Sequence, residues 1–517
     1  MRILIRGLAL LALALMVANC KEVDYTWQYH QVDEAENQRD SISDPTILKA
    51  HLRNGEVYYF PNNWLVDTQR IAVRGYAYRY DANRDLLGKG EELLLLDSVV
   101  LFEVNKELDL TDGNAMLAPF TIINASISLV CLANPKACFG SCPTFYLPED
   151  EGLFSCRAEG FSNAICPSLE YGDIDDLKVP HFRDSVFSLL MKNEAHETHV
   201  LREIELYALP IKEGETVYQS RDNSFYAARN LFLAQEVPFQ AADQEEYFSK
   251  SDPDNLASQE EVILNFKLDQ DSANLGLVLD FRQSLMTTYF IYNAISYMGD
   301  EVGEIFSDLE QRGDLYETMD KGLKSELGEL EVYLWSEAQE EWIFKGAFYE
   351  TGPIAINRQI LDLEHAAKDE LRIKLKMNRG LWRIDRAAIT HIQRKLKPEV
   401  YKVDRITRNG RSSAKDLRDL QSPEAPLVSM PGDRFQLDFH LAANQDYALF
   451  LYAKGYYLEW MRDAWLADKD LWKLRQMFKT PSRYLKNEAE AYKLYEENME
   501  EVFWSSQVPA KPLSLKP

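Results

Sequence analysis

From Ile47 onward the chain alternates apolar and polar positions in short runs broken by turn residues, the period-two pattern of half-buried strands. Runs at 56–60, 70–78 and 93–102, with NGE, PNN and DANRD at the turns, predict a small antiparallel meander or barrel. Further strand-like runs follow at 371–377 (LRIKLKM), 381–384, 435–441 (FQLDFHL) and 447–453 (YALFLYA). A hairpin is expected where 330–335 and 342–348 flank the polar turn SEAQEE. Residues 200–209 and 224–233 fit strands or short helical turns, and 456–504 is helical in pattern. Two runs lack charge. Residues 283–299 (QSLMTTYFIYNAISYMG) read as a buried or groove-lining helix, and 113–135 as a buried element. Neither reads as a membrane span, because Pro119, Asn124 and several Ser, Thr and Tyr interrupt them.

The expected fold class is mixed and β-rich (α+β), and at 517 residues the chain exceeds a single core. The units read as follows. Residues 1–20 are a leader, 21–45 a polar tether and 46–112 the small β-unit. Residues 113–180 form a Cys-rich segment and 181–260 a β-rich continuation ending in an acidic linker. A helical insert is expected at 261–329, a β-sandwich-like body at 330–460 and a helical C-terminal segment at 461–517. Within the body, 407–426 reads as an exposed loop, basic and then proline-containing.

The leader changes the picture most. Arg2 and Arg6 precede an apolar run from Leu8 to Val17, too short for a permanent span, which ends at Ala18-Asn19-Cys20. It resembles a bacterial lipoprotein signal, with Cys20 as the lipidated residue, although Asn19 stands where Gly, Ala or Ser is usual. The competing reading is an ordinary secretory leader with Cys20 incidental. Lys21 follows in place of the aspartate that retains such proteins at the inner membrane. The expected location is therefore the periplasmic face of the outer membrane.

Net charge is −26, and −28 once Arg2 and Arg6 are removed with the leader. With no basic stripe to compensate, nucleic acid is excluded as an expected partner. The expected partners are the membrane, through the lipid anchor, and an envelope protein or glycan.

Five of the six cysteines, Cys131, Cys138, Cys142, Cys156 and Cys166, fall within 36 residues rich in Gly, Pro and Ser. In an exported chain these read as a disulfide staple with one thiol left over, in any of fifteen arrangements (five leftover choices times three pairings). A redox pair at Cys138 and Cys142 has CxxxC spacing rather than CxxC, and paired zinc knuckles are absent.

The one dense His/Glu cluster is 193–199 (NEAHETH). On a helix His196 and His199 could share a metal with Glu203; on a strand the two histidines point apart. Glu197 and His199 are the candidate acid–base pair of an envelope hydrolase. Asp81, Asn83, Asp85 and Glu92 mimic a calcium loop, but Leu86 replaces its glycine and a hairpin turn fits better. Tyr456, Tyr457 and Trp460 form an aromatic group suited either to a binding platform or to a core corner. No nucleophile elbow, Walker loop or dinucleotide motif occurs, and no cofactor is expected.

Six phrases occur together: NPKACFGSCPTFY (134–146), AEGF (158–161) with PSLE (167–170), NEA and ETH (193–199), TGPIA (351–355), RGLWRID (379–385) and GYYLEWMR (455–462). In these the chain resembles an uncharacterised family of exported bacterial proteins that share the CFGSCP segment ahead of a β-rich body. The resemblance implies no activity. It implies that Glu197, Thr198 and His199 belong to the shared pattern and His196 does not. The expectation is a non-enzymatic lipoprotein with a binding or envelope-assembly role.

Overall fold

The computed structural model describes residues 24–30, 48–52, most of 56–108 and most of 142–508. The leader with Cys20, the run 113–135, Cys131, Cys138, Trp460 and the turn residues Asp81, Asn83 and Asp85 lie outside the described residues.

The chain is β-rich, built from five sheets with helices towards the C-terminus. The first sheet holds seven antiparallel strands. It buries Leu48, Ala50, Phe60, Trp64, Val73, Ala77 and Leu94 in a small core of its own. Ala72–Tyr80 shows why: Val73, Gly75 and Ala77 are buried while Arg74 and Tyr76 face water, as the alternation predicts. The flanks of the DANRD turn are antiparallel strands, Ala72–Tyr80 and Leu86–Leu95, so the turn joins a hairpin rather than two helices. One correction falls here. The tether at 21–45 contains a strand, Asp24–His30, paired along its length with Val99–Leu108.

The other four sheets share one core running from Cys142 to Phe503. Strands from either side of the boundaries at 180, 260 and 329 pair with one another. Glu197–Pro210 lies between Tyr447–Glu459 and the short strands Glu399–Lys402 and Leu427–Ser429. Leu275–Gln283 lies between Asn357–Asp362 and Trp382–Leu396. The segment read as a helical insert thus opens with two strands, Gln259–Lys267 and Leu275–Gln283. The second is buried at every position, so it lacks the alternation that would have marked it.

The body is more closed than a sandwich. Phe225–Leu233, Thr216–Gln219, Asn357–Asp362, Leu275–Gln283 and Trp382–Leu396 pair in sequence, and the last returns to pair with the first. One contact of this ring, at Gln219 and Gln359, is parallel. Val278, Ile360, Tyr218 and Ala228 pack together within it. Gly276 is required there, since a Cβ would lie 2.6 Å from Ile360 Cδ1.

Met286–Met298 is the uncharged helix, and it is buried almost all round. The C-terminal helices Leu471–Lys479, Pro481–Asn487, Ala489–Glu496 and Met499–Ser505 follow the last long strand. Tyr289 packs on Tyr492 and Tyr495 at 5.1 and 4.9 Å between ring centres, and donates its hydroxyl to Glu488. Asn293 donates to the same carboxylate. This explains a helix that is polar in places yet sealed: its tyrosine and amide groups find buried partners on the helices that cover it. Among the described residues no helix is long and apolar enough to cross a membrane. Two further corrections concern local structure. The loop expected at 407–426 contains the helix Ala414–Gln421, whose first turn Ser413 caps through the Asp416 N–H. The helical pattern assigned from 456 starts too early, because Tyr447–Glu459 continues as strand; among the described residues helix follows at Trp465 and from Leu471.

Candidate functional site: a buried seam of carboxylates and histidine

The Cys-rich segment contributes a hairpin, Thr144–Pro148 with Phe154–Glu159. At its end Glu159 turns inward and is almost wholly buried. Its Oε1 accepts the N–H groups of Ile354 (2.8 Å) and Ala355 (3.2 Å), and the Cys142 thiol donates to Oε2 at 3.4 Å. The TGPIA loop is thus folded as an amide cradle for this carboxylate. Gly352 is obligatory in it, since a Cβ would meet Glu159 Oε1 at 1.7 Å. Around Glu159 stand Asp175, which accepts the Glu159 N–H, Asp173, which accepts the Phe161 N–H, and Glu350, which accepts from Gly352 N–H and Asn357 Nδ2.

Four acids held together out of water cannot all ionise cheaply. Burial, opposed by the Ile354 amide and reinforced by Glu350, pushes Glu159 up to about 7. Burial and then Glu350 push Asp173 up to about 8. Burial and then Asp173 hold Asp175 well above the usual carboxylate range. At neutral pH the cluster therefore retains protons.

A second polar neighbourhood lies on Glu197–Pro210. Because this segment is a strand, Glu197 and His199 share a face, and His199 Nε2 is 2.7 Å from Glu197 Oε1. Both are completely buried. Burial drops the His199 pKa to about 3, so the ring is neutral and donates Nε2–H to the carboxylate. Ser429 stands opposite His199 in the register and Tyr457 opposite it on the other side. Neither Ser429 Oγ nor His199 Nδ1 has a hydrogen-bond partner among the described residues. Carboxylate, imidazole and hydroxyl on one face have the order of an activated nucleophile. Yet Glu197, His199 and Ser429 are all sealed from solvent, so a substrate has no approach to them.

The sequence candidates therefore divide. Glu197 and His199 meet. His196 is exposed at the turn and Glu203 is exposed near Lys454, so the metal trio does not converge on a strand. Among the described residues no group of three or more His, Cys, Asp or Glu could hold a metal ion. Tyr456 and Tyr457 are core residues: the Tyr457 hydroxyl donates to Ser162 O at 2.7 Å and its N–H to Ala164 O. They are a corner of the core rather than a platform. No disulfide occurs among the described residues, so Cys142, Cys156 and Cys166 are not bridged to one another. Burial, with Glu159 and Glu194 next, pushes the Cys156 thiol far up, the reverse of what thiol exchange needs.

Glu159, Asp173, Asp175 and Glu350 were not legible as a group. Acids are abundant, and Glu350 is nearly 200 residues from Glu159. Of the four, only Glu159 falls within a phrase singled out in the sequence, AEGF at 158–161.

The chain matches no family model and no curated protein. Among solved structures it is similar over 42% of its length to a β-porphyranase of glycoside hydrolase family 86 from the human gut bacterium Bacteroides plebeius, at 5% identity and a TM-score of 0.17. The chain spans about a third of that protein, 36% of its length. It is similar over 90% of its length to a chain of infectious bursal disease virus, Gx strain, at 8% identity and a TM-score of 0.15, covering 98% of that chain. Likenesses this faint carry no argument about fold or activity.

Proposed function

We propose that this chain is an envelope lipoprotein, anchored through Cys20 on the periplasmic face of the outer membrane, with a binding or assembly role and no catalysis of its own. The observation that carries the non-catalytic half is burial. Glu159, Glu197, His199 and Ser429 are all enclosed, and the Glu159 carboxylate and the Glu197–His199 pair are hydrogen-bonded within the fold. Such groups act as polar staples between sheets, high in cost if broken and out of reach of substrate. The address rests on the leader, which resembles a lipoprotein signal. The staple reading of the cysteines is kept only in narrowed form: Cys142, Cys156 and Cys166 are thiols, so the one bridge left within the segment is Cys131–Cys138.

The test is a Cys20→Ser variant followed by membrane fractionation. Release of the protein into the soluble fraction supports the anchor, and unchanged retention overturns it. A second reading, an envelope hydrolase, draws on the Glu197–His199–Ser429 alignment. Loss of a hydrolytic activity in Ser429→Ala, with unchanged stability, would establish it in place of the first.

A further inference from the structure

One surface of the body is built unlike the rest. The four-stranded sheet Gln259–Lys267, Glu370–Asn378, Leu330–Ser336 and Glu341–Phe348 buries Leu330, Val332, Leu334, Leu371, Ile373 and Leu375 on its inner side. Its outer side should be polar, and instead the hairpin sets two aromatic cross-strand pairs there. Trp335 faces Trp342 at 5.3 Å and Tyr333 faces Phe344 at 5.5 Å. Phe344 is 56% exposed. The neighbouring strand lays cations over these rings. The Arg372 guanidinium is 5.4 and 5.8 Å from the two tryptophan rings, and Lys374 Nζ is 5.0 Å from Tyr333 and 5.3 Å from Trp342.

Charge separates these cations. Lys374 is paired with Glu261 at 3.0 Å and Lys376 with Glu331 at 3.4 Å. Arg372 is exposed and makes no ion pair among the described residues, on a chain whose net charge is −26. An aromatic surface of edge-to-face pairs, with the Phe344 ring open to solvent and one uncompensated guanidinium beside it, is therefore set to receive a ligand with apolar faces and a carboxylate.

Size decides what kind. Three inter-strand spacings by about four residues give roughly 200 Å². A stable protein partner needs about 800 Å² on each side. A sugar chain of three or four residues fits the smaller figure, with pyranose C–H faces against the exposed Phe344 ring and the open edges of the tryptophans and an acidic group on the bidentate fork of Arg372.

We propose that this face binds an acidic glycan. The proposal deepens the binding role above and names the ligand class for it. The test is affinity electrophoresis of the full-length chain, purified in detergent, through gels containing polygalacturonate, dextran or polyglutamate. Retardation by polygalacturonate alone is expected, weakened about tenfold in Arg372→Gln, the loss of one charge-assisted hydrogen bond. Trp342→Ala should weaken it similarly, as should Phe344→Ala, whose exposed ring can be removed without disturbing the core. Leu494→Ala, 72% exposed elsewhere, should leave it unchanged. No retardation in any gel, or equal retardation of the Arg372 and Phe344 variants, overturns the site. Equal retardation by dextran overturns the acidic requirement, and equal retardation by polyglutamate overturns the sugar. Release of reducing ends from polygalacturonate would leave the surface standing and overturn the non-catalytic role instead.

Discussion

Glu159 offers the sharpest test of the buried carboxylate cluster. Its pKa rises from an ordinary 4.5 to about 7 on folding. A carboxyl whose folded pKa is raised binds more protons folded than unfolded, so its contribution is complete below about 4.5 and is lost as pH rises through about 7. The difference corresponds to about 3 kcal/mol between pH 4 and pH 8.5. Glu159→Gln keeps an oxygen for the Ile354 and Ala355 amides and removes the titration. Wild type and variant should therefore be close in stability near pH 4. Above pH 8 the variant should be more stable by about 2–3 kcal/mol, with some added gain because the charge on its neighbours is relieved. Urea denaturation midpoints measured across that range read the effect directly. Parallel pH profiles for the two proteins would refute the reasoning, because they would mean that Glu159 is ionised in the fold at neutral pH.

His199 should work in the opposite sense. Its folded pKa of about 3 lies below the unfolded 6.5, so stability is complete above 6.5 and falls as pH drops towards 3. His199→Gln should flatten that acid limb in the same denaturation series. Asp280→Ala should cost about 3–5 kcal/mol by urea denaturation. It strips the counter-charge from Arg358, whose Nε is 2.7 Å away, and from Arg386, 2.8 Å away, both between strands of the closed sheet. Gly352→Ala should cost at least about 2 kcal/mol, read as a lowered thermal midpoint, because the new methyl displaces Glu159 from its amides.

The sequence was informative where one face of a strand meets water. Leu371, Ile373 and Leu375 alternate with Arg372, Lys374 and Lys376, and the observed burial follows that pattern. The hairpin at Leu330–Ser336 and Glu341–Phe348 was legible for the same reason. Legibility failed where both faces are buried. Leu275–Gln283 carries no alternation, and its neighbour Met286–Met298 drew it into a helical reading. Pairing beyond such hairpins was illegible, because partners such as Leu277 and Ile389 are more than 100 residues apart and no local pattern encodes that choice.

The site followed the same rule. Glu197 and His199 were singled out by proximity in sequence, and a two-residue spacing on a strand does bring them together. Tyr456 and Tyr457 fit either a platform or, better, a core corner by sequence, and the structure makes them the core corner, with Ser162 and Ala164 hydrogen-bonded to Tyr457. Tyr333, Trp335, Trp342 and Phe344 carry a signal of their own, since aromatic residues at the outward positions of an expected hairpin are a visible anomaly.

The most direct test of the envelope assignment is intact-mass and peptide-map measurement of the protein extracted from membranes without reductant. The account predicts a chain that begins at Cys20 and carries a triacyl adduct there, with thiols at Cys142, Cys156 and Cys166 and any disulfide of the segment joining Cys131 to Cys138. A soluble chain that begins elsewhere, with Cys20 absent or unmodified, would contradict it.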